Sequence, residues 1–260
     1  MFFRRIVLSA LLVGALSGLV LSAVQRWQII PIIDGAERFE QARTSPPAVP
    51  AGGNVLAHGH MGDGHAAHEH PIGAWEPAEG AERIGFTVLS NVLTGTGFAL
   101  VMLAVMVAAL QSHVVTRFDW HFGLLWGAAG YVVFFVAPAL GLPPEIPGAE
   151  AASLEARQVW WVLTAVCTAL GLAGAAFGKT PWRWATLALL AIPYLVGAPH
   201  PATTPFADHP PAAELGNLAR QFVWATAFAN GLYWLVLGSM SGWMVRRFLK
   251  KAVDQEELKG

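Results

Sequence analysis

Five of the nine histidines lie in one short segment, residues 55–71, which is otherwise rich in glycine and alanine. Neutral imidazole is the commonest metal ligand in proteins, and carboxylates between the histidines add oxygen donors. The candidate ligands are His58, His60, His65, His68, His70, Asp63 and Glu69. Because glycine lets the backbone turn, several of these side chains can converge on one cation. We therefore predict that this segment binds a divalent metal ion; the alternative is a polar linker with weak, unselective affinity.

The remaining chemistry in the sequence is sparse. Cys167 is the single cysteine and lies far from the histidines. This excludes zinc sites with cysteine ligands in the histidine-rich segment, and it excludes an intramolecular disulfide. No nucleophile with a paired base, catalytic triad or metalloprotease spacing is present. We therefore expect no enzymatic activity, no resident cofactor and no nucleic-acid partner.

The composition predicts an all-α integral membrane protein. The chain is 55% hydrophobic and 13% charged, its mean hydropathy is +0.48, and its apolar residues form long runs. A run of about 20 apolar residues crosses a hydrocarbon layer of about 30 Å. The predicted spans are residues 6–24, 84–110, 122–140, 158–177, 182–197 and 222–245. They predict one polytopic domain over residues 1–260, a bundle of six transmembrane helices.

Basic residues predict the orientation of this bundle. Arg4 and Arg5 precede the first span, and the positive-inside rule places them in the cytoplasm. With six spans the basic terminal run, residues 246–251, is also cytoplasmic, whereas five spans would place it outside. Residues 25–83 then form a long extracytoplasmic loop that carries the histidine-rich segment and a possible short helix over residues 35–43. We expect both termini in the cytoplasm and the loop outside.

Two further candidate metal ligands belong to other outer segments. The fifth predicted span is short and contains Pro193, and His200 follows it in the sequence Pro-His-Pro. Broken helices at membrane depth can offer carbonyl oxygens to cations, although a simple proline kink is the alternative. Glu145 follows two prolines, and we expect it near the outer mouth of the bundle. Simple solvation of this carboxylate is the alternative.

Apart from Arg183 at the start of the fifth, the predicted spans contain no Asp, Glu, Lys, Arg or His. This absence argues against a proton-coupled carrier that acts alone and against a b-type cytochrome. The polar residues available to a pathway are Asn91, Thr94, Thr96, Cys167 and Asn230. The spans also hold two methionine pairs at helical spacing, which are Met102 with Met106 and Met240 with Met244. Thioethers favour Cu(I), and apolar packing is the alternative role.

Four Gly-x-x-x-Gly motifs predict close helix packing, either within one bundle or between copies in a homo-oligomer. They begin at Gly14, Gly123, Gly174 and Gly238.

Three features of the sequence resemble the CbtA family of predicted cobalt transporter subunits. They are the opening run over residues 1–19, the early histidine-rich segment, and the sequence from Ala137 to Trp161, APALGLPPEIPGAEAASLEARQVWW. The resemblance implies a bacterial inner-membrane protein associated with cobalt uptake for cobalamin synthesis. It also implies a small single-span partner with a His-rich tail. The family is usually described with five spans, whereas the charges here favour six, and it supplies no assigned ion-binding residues.

The residues and the resemblance together predict a cobalt uptake subunit that captures metal on its outward loop. Nickel or copper are chemically possible alternatives to cobalt. The alternative function is a metal-binding or copper-handling membrane protein that does not transport. The expected partners are the lipid bilayer, the metal ion and the small subunit, with a homo-oligomer possible.

Overall fold

The structure is a computed structural model that describes residues 2–44, 77–78, 80–112, 115, 120–147, 149, 151–201 and 212–249. All regular elements within these residues are helices. The α-helices are α1 Phe2–Val24, α2 Ile30–Thr44, α3 Ala81–Gln111, α4 Trp120–Tyr131, α5 Ala137–Gly141, α6 Leu154–Phe177, α7 Ile192–Val196 and α8 Ala212–Met244. Three π-helical turns, Gln25–Ile29, Val132–Val136 and Val245–Leu249, and one 3₁₀ helix, Pro181–Ala191, complete the described elements.

Five helical stretches in the described residues are long and apolar enough to cross a membrane. They are Phe3–Arg38, Ala81–Gln111, His121–Gly141, Leu154–Phe177 and Glu214–Phe248. The prediction of a multi-pass helical membrane protein is therefore confirmed. The predicted span 182–197 is not one of the five, because it consists of the 3₁₀ helix followed by the five-residue α7. A sixth crossing stays a prediction.

The first helix is longer than the sequence predicted. We placed the end of the first span at Val24 and a separate short helix at residues 35–43. In the structure α1 continues through a π-helical turn into α2, with helical dihedral angles at both Val24 and Ile30. The polar residues after Val24 do not end the helix, because polarity changes the environment of a helix without breaking its backbone hydrogen bonds.

Two of the π-helical turns lie just before a proline. Ile30 donates its N–H to the carbonyl of Gln25, and the next residue is Pro31. Ala137 donates in the same way to Val132, and Pro138 follows. Proline has no N–H and its ring clashes with the carbonyl four residues earlier, so a wider turn accommodates it without ending the helix.

Glycines bring two pairs of helices into backbone contact. In the α1–α3 pair, a Cβ added at Gly14 would lie 2.3 Å from the backbone of Thr96. In the α4–α8 pair, a Cβ at Gly123 would lie 2.4 Å from the carbonyl oxygen of Gly238. We call these the glycine-packed pairs. The Gly-x-x-x-Gly motifs at these positions therefore pack helices of one chain against each other.

The α1–α3 and α4–α8 pairs meet through contact between α1 and α8. The apolar core lies there and includes Val13, Leu103 and Leu237, which are fully buried. Helix α6 and the 3₁₀ helix form a hairpin at the edge of the bundle, packed on α5 and the π-helical turn before it. Trp160 joins the hairpin by donating its indole N–H to the carbonyl of Pro193 at 3.0 Å.

Candidate functional site

The histidine-rich segment lies outside the described residues, so its seven predicted ligands have no described geometry. The structure does describe the helices on either side of it. Arg83 at the start of α3 donates to the Glu37 carboxylate on α2 at 2.9 Å. This ion pair holds the two helices side by side where the chain leaves the bundle and returns. We call this the loop end of the bundle.

Glu145 lies at the same end of the bundle. It follows α5, and its carboxylate accepts from the guanidinium of Arg157 on α6 at 3.0 Å. Both side chains are about one-third exposed, at 28% for Glu145 and 34% for Arg157. The predicted outer carboxylate is therefore paired with a cation and still in contact with solvent.

His200 is exposed and follows α7. Ala198, two residues earlier, lies 3.1 Å from the position of a Cβ added at Gly141, at the end of α5. The chain segments that carry His200 and Glu145 therefore lie at the same end of the bundle. Among the described residues, however, no group of three or more His, Cys, Asp or Glu side chains lies close enough to hold a metal ion.

Of the five polar residues that we considered for a pathway, Asn91 makes side-chain hydrogen bonds to another helix. Its Nδ2 group donates to Gln25 Oε1 at 2.6 Å and to Ser22 Oγ at 3.0 Å, joining α3 to the end of α1. Ser22 and Gln25 were not among the residues predicted from the sequence. Their spacing of three residues, which places Ser22 and Gln25 on one helix face, is the signal that would have found them.

The other four polar residues are placed differently. Thr96 and Asn230 each donate to a backbone carbonyl one turn earlier on their own helix. Thr94 is exposed on the surface of α3, and Cys167 is buried on α6. None of these observations assigns the four residues to a shared site.

The four methionines of the spans belong to one apolar cluster between α1, α3 and α8. Met102, Met106 and Met244 are buried, at 7%, 0% and 5% exposure, and Met240 packs against them as a half-buried side chain. The two methionine pairs therefore share one cluster. Such an environment suits apolar packing, and a thioether in it is also a potential soft ligand.

Comparisons with known proteins give one match. No curated protein and no solved structure is similar to the chain. A family model does match, and it covers residues 3–246, nearly the whole chain. Because the match covers well over half of the chain, the chain belongs to the CbtA family, described as the probable cobalt transporter subunit.

Proposed function

We propose that this protein takes up cobalt across the bacterial inner membrane and that the histidine-rich segment captures the ion first. The observation that supports capture is the convergence of donors at one end of the bundle. The helices on either side of the histidine-rich segment, joined by Glu37 and Arg83, meet there with the segments that carry Glu145 and His200. The small single-span partner implied by the resemblance is part of this proposal.

We place the loop end in the periplasm and both termini in the cytoplasm. Arg4 and Arg5 lie at the start of α1, and Arg246 and Arg247 lie in the π-helical turn after α8. These four cations share the end opposite the loop end, because α1 contacts that final turn. Cytoplasmic ends of membrane helices carry an excess of Lys and Arg, which supports this orientation.

The same orientation requires residues 182–197 to cross the membrane. An α-helix of this length would reach only about 24 Å. A 3₁₀ helix rises about 2.0 Å per residue, so its 11 residues and the five of α7 together reach about 30 Å, the thickness of the hydrocarbon layer.

Contacts along α6 support this crossing. Arg183 lies against Gly178, Thr186 against Gly174 and Leu190 against Gly171. The segment therefore runs back along α6, which is itself a candidate span.

Deletion of residues 57–70 tests the role of the histidine-rich segment. We expect the variant to lose the tightest cobalt binding and to take up less cobalt when the metal is scarce, but nearly normal amounts when it is abundant. The physical reason is that the segment raises the local metal concentration at the mouth of the bundle. The measurement is cobalt accumulation in cells, with and without the small partner, at matched amounts of protein in the membrane.

A second variant separates ligand chemistry from segment length. Replacing the five histidines of residues 55–71 with glutamine keeps the length and removes the imidazoles. It should reproduce the deletion. Binding by the unaltered protein should weaken below about pH 6.5, where an unperturbed imidazole gains a proton and can no longer bind metal. Normal uptake by both variants at every cobalt concentration would contradict capture and support the alternative, that the segment is only a polar linker.

The shared methionine cluster favours one second candidate, a copper-handling protein that does not transport. Replacing Met102 and Met106 with leucine keeps the apolar volume and removes the thioethers. Loss of Cu(I) binding in that variant, together with unchanged cellular cobalt, would support the second candidate over the first.

A further inference from the structure

Four buried polar atoms of α8 and of the π-helical turn after α1 have no hydrogen-bond partner among the described residues. They are Gln28 Oε1, Thr226 Oγ1, Tyr233 Oη and Ser241 Oγ. A polar atom removed from water without a partner costs free energy, so native proteins rarely leave one where neither water nor a ligand can reach it. The fifth such atom in the described part of the chain belongs to Thr168, on α6 at the edge of the bundle.

The three unpartnered hydroxyls of α8 share one side of that helix. Tyr233 follows Thr226 by seven residues and Ser241 follows by eight more, which at 3.6 residues per turn places the three side chains within an arc of about 80°. Ala229 and Leu237, on the same side, are fully buried. At 1.5 Å per residue, Tyr233 and Ser241 lie about 10 Å and 22 Å further along the axis than Thr226. The hydroxyls are therefore distributed over most of the thickness of the hydrocarbon layer.

The unpartnered amide of Gln28 lies at the depth of Thr226. Gly35 packs against Leu218, with 3.6 Å between the methyl carbon of the leucine and the position of a Cβ on the glycine. The helices run antiparallel, because the far end of α1 contacts the turn after α8. Gln28 precedes Gly35 by seven residues, and Ala225, next to Thr226, follows Leu218 by seven residues. Equal steps along antiparallel helices from the Gly35–Leu218 contact therefore place Gln28 and Thr226 at the same depth.

The hydrogen-bonded group of Asn91, Gln25 and Ser22 lies about one helical turn further from the loop end than Gln28. It joins the polar atoms of α1 to α3, so polar groups continue inward from the loop end. No apolar layer separates the two sets along α1, since Gln25 and Gln28 are less than one turn apart.

The unpartnered hydroxyls of α8 lie on the side of that helix whose residues Ala229, Tyr233 and Leu237 belong to the buried cluster shared with α1. The glycine-packed pairs α1–α3 and α4–α8 are in backbone contact, so neither pair has room for an ion between its helices. Between α1 and α8, in contrast, lie side chains such as Leu21, Tyr233 and Leu237. Side chains can change rotamer, so this interface can open while both glycine-packed pairs keep their shape.

We propose that a hydrated divalent cation crosses the bundle between α1 and α8 along these polar groups, which we call the polar seam. The seam consists of Gln28, Thr226, Tyr233 and Ser241, and the bonded Gln25–Asn91 pair adjoins its outer end on the α1–α3 side. All four side chains of the seam are uncharged, and their oxygen atoms can accept hydrogen bonds from the water shell of an ion. A bare divalent ion would instead require charged or imidazole ligands to replace its water. The inference rests on the proposed function and adds the path to it.

The first test removes single hydroxyls without changing the packing shape. Tyr233→Phe and Ser241→Ala should leave the thermal midpoint in detergent unchanged or raised, because each removes an unpartnered polar atom. Cobalt uptake should nevertheless fall, by about tenfold if one stabilising contact with the hydrated ion is lost at the barrier. Thr168→Val is the matched control, since it removes the equivalent atom on α6. Its uptake should be unchanged, and normal uptake in all three variants would overturn the proposal.

The second test asks whether water reaches the seam, independently of transport. Thr226→Cys and Ser241→Cys each add a thiol to the seam, and native Cys167, 8% exposed on α6, is an internal reference. A thiolate is the reactive form and needs water or a cation nearby. A hydrophilic methanethiosulfonate should therefore modify the seam thiols at least roughly tenfold faster than Cys167 in lipid vesicles. Cobalt chloride should slow the reaction, and equal rates for all thiols would contradict a hydrated seam.

The two tests together distinguish failure of the path from failure of the function. If the unaltered protein accumulates no cobalt while the seam thiols react, the seam is hydrated and the proposed function is wrong. If cobalt accumulates, the seam thiols stay unreactive and Tyr233→Phe transports normally, the function stands and the path is wrong.

Discussion

At the scale of single residues, two carboxylates at the loop end are paired with arginines and are still in contact with solvent. Glu145 with Arg157 and Glu37 with Arg83 both bridge neighbouring chain segments. Ion pairs that remain partly exposed stabilise a protein by only about 0–1 kcal/mol, because water screens both partners. Their carboxylates can therefore exchange a guanidinium for a metal ion at small cost, which suits transient capture better than permanent binding.

Substitutions at Glu145 and at Arg157 should have different effects on growth that depends on scarce cobalt. Glu145→Gln removes a candidate ligand, so growth that depends on scarce cobalt should decline. Arg157→Gln frees the carboxylate, so growth should not decline. Glu155→Gln, an exposed carboxylate at the start of α6, is the matched control and should behave like the unaltered protein. Equal growth of all three variants would remove Glu145 from the candidate ligands.

At the scale of elements, the helices are adapted to their prolines and glycines. π-helical turns keep the first and third candidate spans continuous before Pro31 and Pro138. Thr186 donates to the carbonyl of Gly171 at 2.9 Å, which ties the 3₁₀ helix to α6. A 3₁₀ run of this length is unusual, and its greater rise per residue would let a short segment reach across the bilayer, as the proposed sixth crossing requires.

The α1–α3 contact can be tested with a matched glycine pair. Gly14→Ala places a methyl 2.3 Å from the backbone of Thr96, whereas Gly97→Ala meets nothing within 4 Å. Both gain the same helix propensity. We expect Gly14→Ala to destabilise the protein by about 1–3 kcal/mol through forced separation of the helices. Gly97→Ala should be neutral or stabilising by up to about 1 kcal/mol. Thermal unfolding in detergent measures both, and equal midpoints would contradict the close packing.

At the scale of the whole molecule, the bundle consists of two glycine-packed pairs joined along α1 and α8, with the α6 hairpin at the edge. This arrangement concentrates the unpartnered polar atoms at the joint between the pairs. It also assigns the hairpin a peripheral position, since the 3₁₀ helix has no buried residue.

Reporter fusions test the six-crossing topology. Fusions after Gly141, Lys179, Pro210 and Lys259 should report outside, inside, outside and inside, because residues 182–197 return the chain to the periplasm. With five crossings the last two reports would both reverse. An outside signal at Lys259 would therefore eliminate the sixth crossing and the cytoplasmic C terminus with it.

Much of the architecture follows from local properties of the sequence. Long apolar runs predict spans because only a helix satisfies every backbone hydrogen bond inside lipid. The five candidate spans and the family follow from such runs and from the sequence between Ala137 and Trp161. The extension of α1 to Thr44 did not follow, because polar residues such as Gln25 and Arg26 suggested a loop. Their helical state depends on packing against α3 and α8.

By itself, the sequence determined the class of the protein, an all-helical membrane protein of a cobalt transport family, and the scarcity of charge inside its predicted spans, where Arg183 is the one charged residue. Tertiary structure alone decided which helices meet. The Gly-x-x-x-Gly motifs are compatible with contacts inside one chain or between copies, and only the packed bundle pairs Gly14 with Thr96. The polar seam likewise cannot be recognised from the sequence. Gln28 and Thr226 are separated by nearly two hundred residues, and only antiparallel packing of α1 and α8 places them at one depth.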